Sequence, residues 1–215
     1  MYTSAIAKDK EDDTKESSVN KEKQPLSENW IYRMCVLFGG VFIFILTLYI
    51  SNTMIMDHAP DEYMRIQIPF WIVSHGALPN GDEPELLNPI WGFSYGFTPY
   101  LPSLFASLFI KIASVFTENN QILLAASRFV SVLSITITWY VCCKIADRII
   151  KTYACRILFS FMCCGLPQLI FLGSYFNNDM FGVMCSALIG FGWLRGDQDG
   201  WNVKRVSCRT KRKFA

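Results

Sequence analysis

From Met34 to Met56 the chain runs for 23 residues without a charged side chain. A helix that crosses a bilayer needs about 20 predominantly apolar residues, so this one segment decides which solvent the fold must satisfy. In lipid, a helix pairs every backbone N–H and C=O within itself, which loops and open sheets cannot do. Hydrophobic residues make up 52% of the 215 and gather in long blocks rather than short periodic stripes. Both observations predict an all-α integral membrane protein rather than a soluble domain.

Further spans are expected near 125–146, 155–176 and 178–196, the third with Pro167 and Gln168 at its middle. Charge sidedness orders them. Between residues 52 and 124 seven acidic residues face only two basic ones, Arg65 and Lys111. Lys144, Arg148, Lys151 and Arg156 cluster after the second span, and the end of the chain is again basic. The positive-inside rule then puts both termini inside and a long first loop, 57–124, outside. That parity allows one crossing between residue 52 and Lys144. The apolar run 97–117, with Pro99, Pro102 and Lys111, is therefore expected to lie at the outer interface, as is a helix over 60–74. Five spans with an inverted second half is the alternative. Gly182, Ser186 and Gly190 recur every four residues on the last span, a small-residue face suited to close helix packing.

Residues 1–30 mix Lys, Asp, Glu, Ser and Asn with little to bury, and are expected to form a disordered cytoplasmic tail. No small-residue cleavage site follows the first apolar run, so it does not read as a signal peptide. Residues 197–215 read as a basic cytoplasmic tail. The eight cysteines avoid the outer loop and lack metal-ligand spacing, which fits small packing residues rather than a disulfide framework.

The residues able to do chemistry stand on the outer side. In His58-Ala59-Pro60-Asp61-Glu62, Pro60 suits the first turn of a helix, and Asp61 and Glu62 then fall where the helix dipole favours carboxylates. Adjacent carboxylates at an interface can serve as a general base or hold a divalent cation; equally, they can simply cap a helix in water. Asp179 lies at the outer mouth of the last span beside Asn177 and Asn178. It reads either as a functional ionisable group or, like Asn178, as a helix N-cap. Arg128, at the outer end of the second span, can grip a lipid phosphate or snorkel to the interface. There is no phosphate-cradling Gly loop, no Gly-x-Ser-x-Gly elbow and no Cys/His metal pattern, and nothing points to nucleic acid.

In this order and sidedness the motifs resemble the GT-C class of membrane glycosyltransferases, especially the protein O-mannosyltransferase and aminoarabinose-transferase group. Asp61-Glu62 is similar to the Asp-Glu pair that opens that class's first outer loop. Thr98-Pro99-Tyr100-Leu101-Pro102 looks like its Pro-containing interfacial helix, with the paired prolines here separated. Ala125-Ala126-Ser127-Arg128-Phe129 and Ser174-Tyr175-Phe176-Asn177-Asn178-Asp179 resemble the motifs that follow. The resemblance spans about residues 30–195 and implies transfer of a sugar from a polyprenyl-phosphate donor to an acceptor hydroxyl on a glycan, lipid or protein. It casts Asp61 as base and Glu62 as its supporting neighbour. Arg128 would hold the donor phosphate, and Asp179 would position acceptor, donor or a divalent cation held with Asp61. Asn178, Tyr175 and His58 complete the expected substrate-binding set.

Members of that class usually continue through many more spans, whereas this chain stops after four and ends in a non-apolar stretch that reads as cut short or out of frame. The competing expectation is a non-catalytic membrane module or truncated relic that binds a lipid or a partner protein. A transporter has less support, because no interrupted-helix repeat stands out. The absence of Asn-x-Ser/Thr sequons suits a bacterial plasma membrane, with the endoplasmic reticulum as the alternative.

Overall fold

A computed structural model describes residues 26–56 and 58–199 of the chain. The segment 1–25 of the expected N-terminal tail, Asp57, and the basic stretch from 200 onward lie outside the described residues. Within them the fold is all helical: α1 (Leu26–Thr53), α2 (Glu62–His75), a 3-10 turn (Tyr95–Phe97), α3 (Leu101–Ser114), α4 (Asn120–Ile149), α5 (Tyr153–Cys164), α6 (Pro167–Leu172) and α7 (Asn178–Asp199). Two of these, over Trp30–Thr53 and Asn120–Ile149, are long and apolar enough to cross a membrane.

The helix α4 is the central post, packing against α1, α3, α5 and α7, while α2 packs on α3. Its core contact with α1 depends on a glycine notch. A Cβ on Gly39 would fall inside the Trp139 ring, so only glycine lets that ring reach the α1 backbone. The Trp139 indole then donates to the Val36 carbonyl at 2.9 Å. Ile43, Ile135, Trp139, Cys142, Cys143, Cys164 and Met180 form the buried cluster around this contact. Both adjacent cysteine pairs contribute to it as free, packed side chains.

The structure departs from the sequence reading at several boundaries. α1 starts at Leu26, inside the segment read as tail, and α7 runs to Asp199, past the expected end of the last span. The span expected over 155–176 is two helices. Gly165 closes α5 with its N–H on Phe161 O, and Leu166, extended at φ −60 and ψ 129, leads into Pro167 at the first turn of α6. The residue before a proline is pushed out of the helical region, so the break follows from Pro167 itself. α3 has 14 residues, a rise of about 21 Å. That is short of the roughly 30 Å hydrocarbon core of a bilayer. Among the described residues the small-residue face of α7 meets no packing partner: a Cβ on Gly182 or Gly190 would meet nothing within 4 Å.

Candidate functional site

Asp61 and Glu62, adjacent in the chain, have opposite fates. Asp61 takes the left-handed conformation (φ 58, ψ 8), the one non-glycine among the described residues to do so. That residue ends the turn that joins α1 to α2. The helix therefore begins at Glu62, Pro60 stays outside it in the preceding turn, and the Asp61 side chain makes no capping bond. The expected placement of Pro60 and both acids in one first turn is thus revised. Asp61 faces outward and exposed, and its Oδ2 accepts a 2.8 Å hydrogen bond from the Tyr95 hydroxyl.

Glu62 turns inward and is fully buried. Its two oxygens accept from Arg128 Nε and Nη2, both at 2.7 Å, in a bidentate pair. Oε1 also accepts from the Phe176 N–H at 3.0 Å. Arg128, 1% exposed, turns Nη1 to the carbonyls of Ser51 (2.6 Å) and Met54 (2.7 Å) at the end of α1. Those carbonyls have no partner within their own helix and carry the negative end of its dipole, so a guanidinium is well matched to them. One ion pair thereby ties the end of α1, the start of α2, the N-terminal part of α4 and the 174–177 turn together. The Arg128 donors face protein on every side, so a lipid phosphate has no opening to them. Glu62 is likewise shut away from any substrate.

The open residues converge elsewhere. Arg65, one turn along α2, lies over the Tyr95 ring at 5.1 Å and 3.7 Å from Asp179 Oδ2. Its Nε is buried without a partner. Asp61, Tyr95, Arg65 and Asp179 thus form a chain of contacts across the end of the bundle where α2 and α7 begin. Beneath it is a cavity of about 670 Å³, lined among others by Arg65, Tyr95, Thr98, Asn178, Asp179 and Ser186. Asn178 donates to Thr98 Oγ1 at 3.2 Å, joining the start of α7 to the loop before α3. Burial, reinforced by the bond to Asp61 and its charge, pushes the Tyr95 phenol above its ordinary value, against the opposing pull of Arg65.

The remaining expected residues divide. Tyr175 is buried, tilted on Phe171 at 5.1 Å. It supports the turn from within instead of lining the cavity. His58 is exposed on the turn between α1 and α2. The cap of α7 is neither Asn178 nor Asp179 but buried Asn177, whose Oδ1 accepts from the Met180 N–H at 2.7 Å. Asn178 and Asp179 are thereby released to face the cavity. Asp61 and Asp179 are linked through Tyr95 and Arg65 rather than turned toward a common point. Among the described residues no group of three or more His, Cys, Asp or Glu side chains gathers to hold a metal.

Sequence reasoning did not find Arg65 or Tyr95. Arg65 carried a signal, being one of two cations in a loop of seven acids. Tyr95, in a Gly- and Phe-rich loop, carried none. Compared with protein-family models, with curated proteins and with solved structures, the chain matches none of them.

Proposed function

We propose that this chain is a multi-pass membrane glycosyltransferase, or the part of one that bears its base, moving a sugar from a polyprenyl-phosphate donor to an acceptor hydroxyl. The membrane part of this reading draws on the exterior. Phe38, Phe42, Ile45 and Tyr49 of α1 are all more than half exposed, and only 17% of its most apolar stretch is buried. A core helix of a soluble protein would be mostly buried, and soluble monomers rarely show so large an apolar face. With crossings by α1, α4, the α5–α6 pair and α7, Asp61 and the cavity lined by Arg65, Tyr95 and Asp179 stand at the end opposite Lys144 and Arg148.

The observation that carries the catalytic reading is the divergence of Asp61 from Glu62. A carboxylate held exposed in a strained left-handed turn, with its neighbour locked in a buried ion pair, is the pattern of a group kept available for use. In the proposed step the acceptor hydroxyl hydrogen-bonds to Asp61. As its oxygen attacks the anomeric carbon, the proton passes to the carboxylate. The bond from that carbon to the phosphate oxygen breaks, and polyprenyl phosphate leaves with the electron pair. Arg65, open to the cavity, replaces Arg128 as the cation facing the departing phosphate, where positive charge is most effective. Asp179 and Asn178 flank the acceptor.

The test is sugar transfer by the full chain in membranes supplied with polyprenyl-phosphate sugars. Asp61→Asn should lower the rate by about 10²–10⁴, the usual worth of a positioned base. An asparagine variant as fast as the parent removes Asp61 from the chemistry. A folded parent that transfers nothing from any donor removes the enzyme and leaves a non-catalytic membrane module.

A further inference from the structure

At the basic end of the bundle, α1 and α4 part to leave a cleft of about 800 Å³, within the roughly 300–1,000 Å³ typical of small-molecule sites. Its walls are apolar: Val36, Leu37, Val41 and Phe44 from α1 and Ile137 from α4, with Gly40 packed close to the Trp139 ring between them. Its mouth is charged. Among the described residues Arg33, Lys144 and Arg156 line it against one carboxylate, Asp147. Arg156 is fixed, lying over the rings of Tyr32 (5.7 Å) and Tyr153 (4.8 Å) with Nε on the Ile150 carbonyl at 2.7 Å. Asp147 is also engaged, accepting from the Tyr32 hydroxyl at 2.6 Å. Lys144 is 44% exposed and 3.8 Å from Asp147, and Arg33 is exposed. Lys144 and Arg156 (3.4 Å) thus share one already hydrogen-bonded anion, with Arg33 as a third cation lining the same apolar slot.

We infer that this cleft binds an anionic phospholipid, with one acyl chain along Val36–Phe44 and the phosphate at Arg33 and Lys144. An acyl chain matches the walls and a net negative headgroup matches the mouth; a zwitterionic headgroup would bring a cation of its own into a place that already has three. The site is separate from the cavity lined by Arg65, Tyr95 and Asp179. Lys144 lies sixteen residues beyond Arg128 on α4, about 24 Å along the helix at 1.5 Å per residue. The inference rests on the membrane reading above but not on the glycosyltransferase reading.

The experiment is native mass spectrometry of the full chain in detergent with phosphatidylglycerol, with phosphatidylcholine of the same chains, and with glycerol phosphate. The parent should retain phosphatidylglycerol over phosphatidylcholine and bind glycerol phosphate weakly. The surface variant Arg33→Gln/Lys144→Gln should lose that preference, by about fivefold for each cation removed. Val41→Trp, which fills the slot, should weaken both lipids while circular dichroism stays helical. Equal retention of both lipids by the parent overturns the inference. So does an unchanged preference in the double variant, or glycerol phosphate bound as well as the lipid. A co-purifying peptide in place of lipid would make the cleft a protein contact instead. A chain recovered in soluble form without detergent would refute the membrane reading itself, a distinct outcome.

Discussion

Arg128→Met is the most revealing single change, because it tests whether Arg128 holds the fold or meets a substrate. In the structure it leaves Glu62 buried with one hydrogen bond, from the Phe176 N–H, where there had been three. It also strips the donor from the carbonyls of Ser51 and Met54. Removing one partner of a buried pair costs about 3–5 kcal/mol, since the other charge stays buried. A chain of this size loses roughly 2–4 °C of melting temperature per kcal/mol, so the variant should melt about 6–20 °C below the parent. The partner change alone, Glu62→Leu, should be similarly harmful, because it strands the guanidinium. The double variant Glu62→Leu/Arg128→Met should recover much of the loss, as buried pairs replaced by apolar residues often do. The assay is thermal unfolding in detergent, followed by circular dichroism over the four chains of the double-mutant cycle. Additive losses in the double variant, or an Arg128→Met chain as stable as the parent, would refute the reasoning. The second result would return Arg128 to the list of residues free to meet a phosphate.

Three further outcomes are expected. At Asp61 the order Asp61→Gly more stable than Asp61→Ala, by about 1–2 kcal/mol, follows from the left-handed backbone and reverses the helix-propensity order; alanine at least as stable as glycine in chemical unfolding would show that the turn is not left-handed. Gly39→Ala, normally a stabilising change in a helix, should cost about 1–3 kcal/mol by driving a methyl into Trp139, while Gly40→Ala, whose Cβ would stand 3.3 Å from that ring, is tolerated better. Melting temperatures compare the two directly. Tyr95 should ionise later than a free tyrosine in ultraviolet difference titration against Tyr95→Phe, and closer to normal in Asp61→Asn. Because its folded value is raised, the stabilisation it contributes is complete below the free-tyrosine value near 10 and fades as pH climbs through the raised one.

What could be read in the sequence and what could not separates by range. The apolar run from Met34 to Met56 is a local property, so α1 was legible, as was a second long helix around Arg128. Pro167 was equally visible, and its effect on Leu166 is local chemistry that a span-length argument passes over. The cap of α7 was missed by a single residue, since three consecutive side chains, Asn177, Asn178 and Asp179, all suit the position. Only burial picks Asn177, whose amide also reaches the Leu172 and Tyr175 carbonyls at 2.6 and 2.9 Å.

The role of Glu62 was out of reach for a deeper reason. Its partners are 66 and 114 residues away in the chain, and no spacing rule connects them. Yet the side of the bundle on which each functional group lies is set there. Once Glu62 is drawn inward to Arg128, the left-handed turn at Asp61 sends the adjacent carboxylate outward. One helical turn later, Arg65 falls on the same end of the bundle, over Tyr95. The same pair brings the Phe176 N–H onto Glu62, which seats the 174–177 turn and leaves Asn178 and Asp179 facing Thr98 and Arg65. The exposed acid is therefore positioned by the buried one. On the proposed transfer reaction, a substitution at Glu62 should reduce the rate through misplacement of Asp61, since Glu62 itself is buried away from the acceptor. Activity measured across the double-mutant cycle separates the two roles: a Glu62→Leu/Arg128→Met chain that regains stability and also regains transfer identifies Glu62 as a positioning residue. A chain that regains stability without transfer would make the Glu62 carboxylate itself part of the chemistry.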